Sequence, residues 1–182
     1  MRVLVISDSH GEIDNIIQIS KVVREENISK VIHLGDDYDD VNFLIKEGIE
    51  IERVPGVFSG YYSEKDIPNR KVIEIEGWRV LLTHTKERHE NDLSGDISPE
   101  DSVKNGAIDI VLYGHTHIPA IAKEGTVYLL NPGHLKATDK KGYQPSFVVL
   151  DIEKDNIDIT IKRLNTKETV LRDVIKRHKE TD

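Results

Sequence analysis

The chain opens with MRVLVISDSHG (residues 1–11), and KVIHLGD (residues 30–36) repeats the arrangement of a short apolar run followed by polar residues. Val3 to Ile6 is a continuous apolar run, which is typical of a strand covered on both faces. Apolar residues recur at helical spacing over residues 13–23, between the two runs. Strands that alternate with helices in this way predict an α/β fold whose sheet is parallel at its start.

The rest of the chain is rich in hairpin signals. Lys71 to Ile75 and Trp78 to Leu82 read as two strands joined across a Glu-Gly turn. Ser146 to Ile152 and Ile157 to Ile161 form a second such pair. A helix is expected to begin at Ser98, because Pro and two acidic residues follow it. The pattern therefore predicts two sheets with helices outside them.

The C-terminal segment has the spacing of an amphipathic helix over about 166–180. Asn165 and Glu168 would cap it, and four apolar residues would share one side: Val170, Leu171, Val174 and Ile175. Such a helix would either pack on the sandwich or form part of a homodimer contact, and the sequence leaves both open. Without an internal repeat or a flexible linker, residues 1–182 are expected to form a single domain.

The composition excludes several classes of protein. Lys and Arg number 25 against 33 Asp and Glu, a net charge of −8, which makes nucleic-acid binding unlikely because no excess of basic residues neutralises phosphates. The sequence has no cysteine, so disulfide frameworks, thiolate metal sites and cysteine nucleophiles are excluded. The first apolar run is too short for a signal peptide and no run approaches the ~20 residues of a membrane span, so a cytoplasmic location without membrane contact is expected.

Aspartate and histidine concentrate directly after the expected strands. In an open α/β sheet, ligands collect at the carboxyl ends of strands, so side chains from separate loops can meet at one point. Carboxylates and imidazoles without thiolate suit Mn, Fe, Co, Ni or Zn, and four imidazoles are too many for Ca or Mg alone. The candidate metal ligands are Asp8, His10, Asp36, His84, His115 and His117.

Other readings exist for several of these residues and for the remaining histidines. Asp8 alone could as well be an ordinary turn residue, and His33 is better explained as a hydrogen-bonded histidine inside a strand than as a ligand. His89 is expected to be exposed in the polar loop Lys86 to Asp96, and His178 to be solvated at the end of the last helix. By contrast, Gly-His-Thr-His directly after an apolar strand is hard to explain without a metal.

The order of these motifs resembles the calcineurin-like metallophosphoesterase superfamily, and within it the small single-domain bacterial and archaeal phosphodiesterases. The motifs that carry the resemblance are Asp8-Ser9-His10, Gly35-Asp36, Thr83-His84-Thr85, Gly114-His115-Thr116-His117 and Asn131-Pro132-Gly133. The resemblance implies a four-layer αββα sandwich of two mixed sheets flanked by helices, with a dinuclear metal centre, and in-line attack on phosphorus by a metal-bridging hydroxide.

The resemblance also implies a role for each ligand. One metal would be held by Asp8, His10 and His117, and the second by His84 and His115. Asp36 would bridge the two metals. Manganese is the expected ion, with Ni, Co, Fe or Zn as alternatives.

The sequence departs from the family pattern after the third strand. Val57 stands where the family has an asparagine that binds the second metal, and Phe58 stands where it has His or Cys. Neither side chain can bind a metal or donate a proton. Either the second site is weakened or another residue replaces the ligand. The candidates are His134, Tyr61, Ser59 and Glu64, and His134 is also a candidate catalytic residue, although it could equally be an ordinary loop residue.

The function expected from the sequence is that of a metal-dependent phosphoesterase, with a phosphodiesterase favoured over a monoesterase and a small phosphodiester as substrate. The alternative is a catalytically weak or inactive binding scaffold, since the retromer scaffold subunit has a similar fold. Val57 and Phe58 favour the scaffold. The retained ligands favour the enzyme, because carboxylates brought together without a cation cost stability.

Overall fold

The computed structural model describes residues 1–177, which form two β-sheets packed face to face with helices outside them. The strands are β1 (Arg2–Ile6), β2 (Lys30–His33), β3 (Ile51–Arg53), β4 (Arg70–Ile75), β5 (Trp78–Thr83), β6 (Ile110–Leu112), β7 (Ala120–Glu124), β8 (Val127–Asn131), β9 (Ser146–Ile152), β10 (Asn156–Arg163) and β11 (Thr169–Lys176). The helices are α1 (Ile13–Glu25), α2 (Asn42–Lys46) and α3 (Pro99–Lys104), with a 3-10 helix at Gly60–Ser63.

Both sheets are mixed. The first has the order β11-β10-β9-β1-β2-β3, and the second has the order β4-β5-β6-β8-β7. β1, β2 and β3 are parallel, as are β5, β6 and β8, whereas the remaining strands of both sheets are joined by antiparallel pairing. The parallel strands of each sheet bring their carboxyl ends to the same end of the sandwich, which is where the candidate ligands lie.

Three buried apolar clusters separate the four layers. Val5 and Leu82 belong to the cluster between the sheets. Leu4 and Ile16 belong to a second cluster, between the first sheet and α1, and Val111 to a third, beneath α3. Successive residues of β1 thus face different clusters, which explains its uninterrupted apolar run. The αββα architecture is confirmed. None of the helices within residues 1–177 has the length and apolar character needed to cross a bilayer.

The two predicted hairpins and the helix beginning after Ser98 are confirmed. β4 pairs antiparallel with β5, and β9 with β10. Ser98 caps α3 by accepting a hydrogen bond from the backbone N–H of Asp101 at 3.2 Å, with Pro99 at the first helical position. These elements depend on local turn and cap chemistry, which the sequence displays directly.

The predicted helix over about 166–180 is wrong for the residues that the structure describes. Residues 169–176 form β11, which pairs antiparallel with β10, and the expected cap residues lie in the turn between these strands. A register shift at Ile161 and Lys162 lets both Val170 and Ile175 pack on the cluster between the sheets. A regular strand would place two residues five apart on opposite faces. The bulge lets both residues face the cluster, so the apolar residues of this strand have a spacing that resembles that of a helix. His178 lies outside the described residues.

Candidate metal centre

Loops that follow four strands bring the six predicted ligands together at one edge of the sandwich. Asp8 and His10 follow β1, and Asp36 lies three residues after β2. His117 comes from the loop after β6. Each of these four residues offers a ligand atom, and the four atoms lie within 4.8 Å of one another. The pairwise approaches are close, with His10 Nε2 3.1 Å from His117 Nε2 and His117 Nε2 3.2 Å from Asp8 Oδ1.

Asp36 lies between two groups of imidazoles. Its Oδ2 is 2.5 Å from Nε2 of His10, on the side of Asp8 and His117. Its Oδ1 is 3.4 Å from Nε2 of His84, and that nitrogen is 3.3 Å from Nδ1 of His115. Nδ1 of His84 hydrogen-bonds the carbonyl oxygen of Leu34 at 2.7 Å, which leaves Nε2 facing the carboxylate. The arrangement gives each oxygen of Asp36 its own set of imidazole neighbours.

Four of the six residues have left-handed backbone conformations. The φ angles are 53° at Asp8, 48° at His10, 63° at His115 and 60° at His117. This region is uncommon for residues other than glycine, and such strain concentrates at functional sites. It is held in place by local contacts, including the backbone N–H of His115, which donates to both carboxylate oxygens of Asp8 at 2.9 and 3.1 Å.

Gly114 allows the loop after β6 to approach the loop after β1. A Cβ atom on Gly114 would lie 1.8 Å from Oγ of Ser7 and 2.6 Å from Oδ2 of Asp8. Asn131 fixes the same turn, because its side-chain amide donates to the carbonyl oxygen of Gly114 at 2.8 Å and to Oγ1 of Thr116 at 3.1 Å. The spacing of the Gly-His-Thr-His segment therefore depends on a backbone contact that no larger residue permits.

The imidazoles around Asp36 favour the ionised form of its carboxyl group. Burial raises the pKa of Asp36, but the hydrogen bond from His10 and the charges of His84 and His10 outweigh burial and hold this pKa below its usual range. Burial lowers the pKa of His115, and the neighbouring His84 lowers it further. The hydrogen bond to Asp8 raises the pKa of His117 despite partial burial.

The cluster fits a divalent metal ion. Imidazole nitrogens of His10 and His117 converge on the same point as carboxylate oxygens of Asp8 and Asp36, and Asp8 is fully buried. Nitrogen and oxygen donors in this ratio suit the first-row transition metals. A cation would also offset the cost of holding the buried carboxylate of Asp8 close to the partly buried carboxylate of Asp36.

Asp139 is a site residue that the sequence did not indicate. Its Oδ1 lies 2.7 Å from Nδ1 of His117, and this contact with other hydrogen bonds lowers the pKa of Asp139 to about 2. A carboxylate on the far nitrogen of a ligand histidine fixes the tautomer and the orientation of the ring. Asp139 lies well beyond the end of β8, in a loop segment that carries no motif, so no sequence signal pointed to it.

His134 packs beside the centre but has both ring nitrogens engaged. It is fully buried, with its ring centroid 5.3 Å from that of His117. Nε2 hydrogen-bonds the carbonyl oxygen of Tyr143 at 3.1 Å, and Nδ1 accepts from the backbone N–H of Lys136 at 3.1 Å. Both contacts tie down the loop that carries Asp139, so the geometry favours support of this loop over replacement of a ligand near His84.

The other candidates for the replaced ligand are also occupied or exposed. The hydroxyl of Tyr61 donates to Oδ2 of Asp39 at 2.6 Å, and Oγ of Ser59 accepts from the backbone N–H of Tyr61. Glu64 is exposed. His33 is buried in β2 with Nε2 3.1 Å from Oγ of Ser9, and burial lowers its pKa to about 4, as suits a neutral histidine inside a strand.

Phe58 lies beside His115 on the side of the candidate second site, and Val57 directly precedes it in the chain. Gly56 brings them there, because a Cβ atom on Gly56 would lie 2.5 Å from Cα of Asp36. The side chain of Val57 is buried, whereas Phe58 is 74% exposed with its ring centroid 6.3 Å from that of His115. The segment with Val57 and Phe58, which differs from the family motif, thus forms one wall of the candidate second site.

His89 approaches this wall, in contrast to the expected exposed position. It is half-buried, and its ring lies perpendicular to that of Phe58 with 5.6 Å between centroids. The same ring is 6.1 Å from that of His115. The sequence signal was only a histidine in a polar loop, which does not specify where the loop folds.

Comparison with known proteins places this chain among phosphoesterases. A phosphodiesterase from Methanocaldococcus jannaschii is 28% identical over 172 residues, which cover 85% of this chain and 95% of the relative. Two solved structures share the fold: a phosphoesterase from E. coli (TM-score 0.69, 21% identity, 94% of this chain and 98% of that chain) and Vps29 from Entamoeba histolytica in complex with zinc (TM-score 0.66, 22% identity, 97% and 99%). The model of the calcineurin-like phosphoesterase superfamily domain matches residues 1–155, so the chain belongs to that superfamily.

Proposed function

We propose that this protein is a metal-dependent phosphodiesterase that holds two divalent ions at the candidate metal centre. The observation that carries the proposal is the position of Asp36, whose two oxygens face different imidazole groups at 2.5 and 3.4 Å. One ion would be held by Asp8, His10 and His117, and the other by His84 and His115. Asp36 would contribute one oxygen to each.

The residues of the chain have separable tasks in this proposal. Divalent ions would lower the pKa of the attacking water and neutralise charge on the phosphoryl oxygens. These two effects are the main requirements of phosphoester hydrolysis. Asp8 fixes the loop of His115 by accepting a hydrogen bond from the backbone N–H of His115, and Asp139 orients the ring of His117. Asn131 holds the Gly-His-Thr-His turn. The ligands are thereby positioned before substrate arrives, so little reorganisation is needed.

Preference for a diester is supported by the basic side chains near the centre, which are engaged in other contacts. Arg53 lies over the ring of Tyr38 and donates to the carbonyl oxygen of Tyr38 at 2.6 Å. Lys141 donates from Nζ to the carbonyl oxygen of Thr116 at 2.6 Å. A dianionic monoester would therefore depend almost wholly on the metals, whereas a diester carries one charge less.

The surroundings also support a small substrate. An open cavity of 480 Å³ lies beside Phe58 and is lined by Asp37, Tyr38 and Tyr61. Its acidic lining and the net charge of −8 oppose a polyanion such as nucleic acid. Manganese is the proposed ion, with Ni, Co, Fe or Zn as alternatives, and the zinc complex of the Entamoeba Vps29 is consistent with a metal in this fold. The cytoplasmic location and the homodimer stay predictions of the sequence.

The test combines metal stoichiometry with turnover. The purified protein is stripped of metal, titrated with Mn²⁺, and assayed on bis(p-nitrophenyl) phosphate and p-nitrophenyl phosphate. We expect two ions per chain, a higher kcat/KM for the diester, and loss of more than about 100-fold in the Asp36→Asn variant, because that variant weakens both sites. Asp66→Asn, an exposed substitution, serves as the matched control. No turnover with Mn, Ni, Co, Fe or Zn, despite a folded protein, would refute the proposal.

The binding scaffold is the second candidate function. It is favoured by Phe58, which is 74% exposed beside the centre at a position where a metal ligand or proton donor is missing. Aromatic side chains are enriched in protein–protein interfaces. The same titration separates the two functions, since a scaffold would bind at most one ion per chain and show no turnover.

A further inference from the structure

The loop Lys86 to Asp96 brings a histidine ring beside the candidate second site. His89 lies in this loop with its ring 6.1 Å from that of His115 and 5.6 Å from that of Phe58. The three rings surround one corner of the centre, on the side where Val57 replaces a polar ligand. His89 is the polar side chain of this group that the proposed ligand set does not use.

The hydrogen bonding of His89 determines which nitrogen can donate. The backbone N–H of Asn91 donates to Nδ1 of His89 at 3.2 Å, so Nδ1 is an acceptor. In the neutral imidazole the proton then lies on Nε2. Within residues 1–177, no hydrogen bond engages Nε2, so this N–H is available to a bound ligand.

The loop is held rigidly enough to position this group. Both oxygens of Asp92 accept hydrogen bonds from Arg70, at 2.7 and 3.0 Å, and the side chain of Arg70 is only 1% exposed. Oδ2 of Asp92 also accepts from the backbone N–H of His89 at 3.1 Å. The Asn91 amide donates to the carbonyl oxygen of Val57 at 2.9 Å, which docks the loop on the wall of the site.

We propose that His89 contacts the substrate, with Nε2–H donating a hydrogen bond to a non-bridging oxygen of the phosphoryl group. This inference rests on the proposed function, because the oxygen belongs to a phosphodiester held at the metal centre. The Nε2–H of His89 adds a directional contact to the charge that the metals would neutralise. Asp92 is a positioning residue for it, and Val57 supplies the carbonyl on which the loop rests.

The experiment compares His89→Ala and His89→Gln, with Glu90→Ala as a matched exposed control in the same loop. Inorganic phosphate binding to the Mn²⁺-loaded protein is measured by calorimetry, together with kcat and KM for a series of aryl phosphodiesters. His89→Ala should weaken phosphate binding and kcat/KM about 10- to 100-fold, the range for a hydrogen bond to a charged acceptor. His89→Gln should recover part of the loss because its amide can donate from a similar reach. Mn²⁺ affinity should be unchanged in all variants.

Three results would overturn the inference. The first is phosphate affinity and kcat/KM equal to wild type in His89→Ala. The second is a loss of Mn²⁺ affinity in that variant, which would make His89 a ligand or a structural residue. The third is a loss that grows with the leaving-group pKa, which would place the contact on the leaving oxygen. The phosphate-binding measurement does not depend on turnover, so weaker binding in His89→Ala supports the inference even if the wild type proves inactive and the proposed function fails.

Discussion

Replacement of Asp139 by asparagine tests how far the metal affinity depends on the orientation of His117. The carboxylate of Asp139 lies 2.7 Å from Nδ1 of His117, and its other oxygen accepts from the backbone N–H of Lys141 at 2.7 Å. Asparagine has nearly the same shape, so its carbonyl oxygen can accept one of these hydrogen bonds. The substitution therefore removes mainly the charge that makes His117 a more basic ligand.

The expected loss follows from two independent magnitudes. Removal of a carboxylate that supports a ligand histidine typically costs about 10- to 100-fold in metal affinity. A hydrogen bond to a charged group contributes about 1.5–3 kcal/mol, which corresponds to a similar range at about 1.4 kcal/mol per tenfold. Because asparagine retains an acceptor, we expect a loss of about 10-fold for Asp139→Asn. A loss of about 100-fold is expected for Asp139→Ala, which retains none.

Calorimetric titration of the metal-free protein with Mn²⁺ measures this loss. The binding step of the site formed by Asp8, His10 and His117 should weaken, and the step assigned to His84 should keep its affinity. Asp66→Asn controls for the change of one surface charge, and a thermal melt controls for folding. Equal Mn²⁺ affinity in Asp139→Asn and wild type would refute the reasoning, as would equal weakening of both steps.

Two further predictions concern the scaffold of the site. Gly114→Ala should destabilise the fold by about 1–3 kcal/mol and weaken Mn²⁺ binding, since its Cβ would lie 2.6 Å from Oδ2 of Asp8. Urea unfolding measures the stability and calorimetry measures the Mn²⁺ affinity. Gly95→Ala is the control, because Gly95 has open space around it and its substitution should change neither quantity. Burial raises the pKa of Asp92, but hydrogen bonds, chiefly from Arg70, hold it below the usual range. The ionised Asp92 therefore stabilises the protein above about pH 4. The free energy of unfolding of wild type should exceed that of Asp92→Asn by about 3 kcal/mol at pH 7, and this difference should shrink as the pH falls below about 4. A difference that stays constant with pH would contradict the prediction.

The parts of the fold that could be predicted are those encoded locally. The apolar run Val3 to Ile6 indicates a strand covered on both faces, and the structure places clusters on both. Ser98 and Pro99 mark a helix start through the hydrogen bond that caps it. Asp36 and His84 could be assigned to one site because parallel strands end at a common edge.

The parts that could not be predicted depend on contacts between distant segments. Val170 and Ile175 share a cluster only through the register shift of β11 against β10, and nothing within residues 169–176 encodes that shift. Asp139 reaches His117 because the loop after β8 folds back, 22 residues away in sequence. The position of His89 depends in the same way on the pairing of Arg70 with Asp92, which the sequence of the loop does not specify.

The left-handed conformations at Asp8, His10, His115 and His117 bear on the stability of this fold. Each such residue costs up to about 1–2 kcal/mol relative to glycine, an appreciable sum against a total stability of about 5–15 kcal/mol. Glycine at these positions would relax the backbone and remove four candidate metal ligands in the same step. Backbone stability and the proposed metal binding therefore place opposite demands on the same four residues, so the stability gained by glycine at each position measures what the fold gives up to present these side chains.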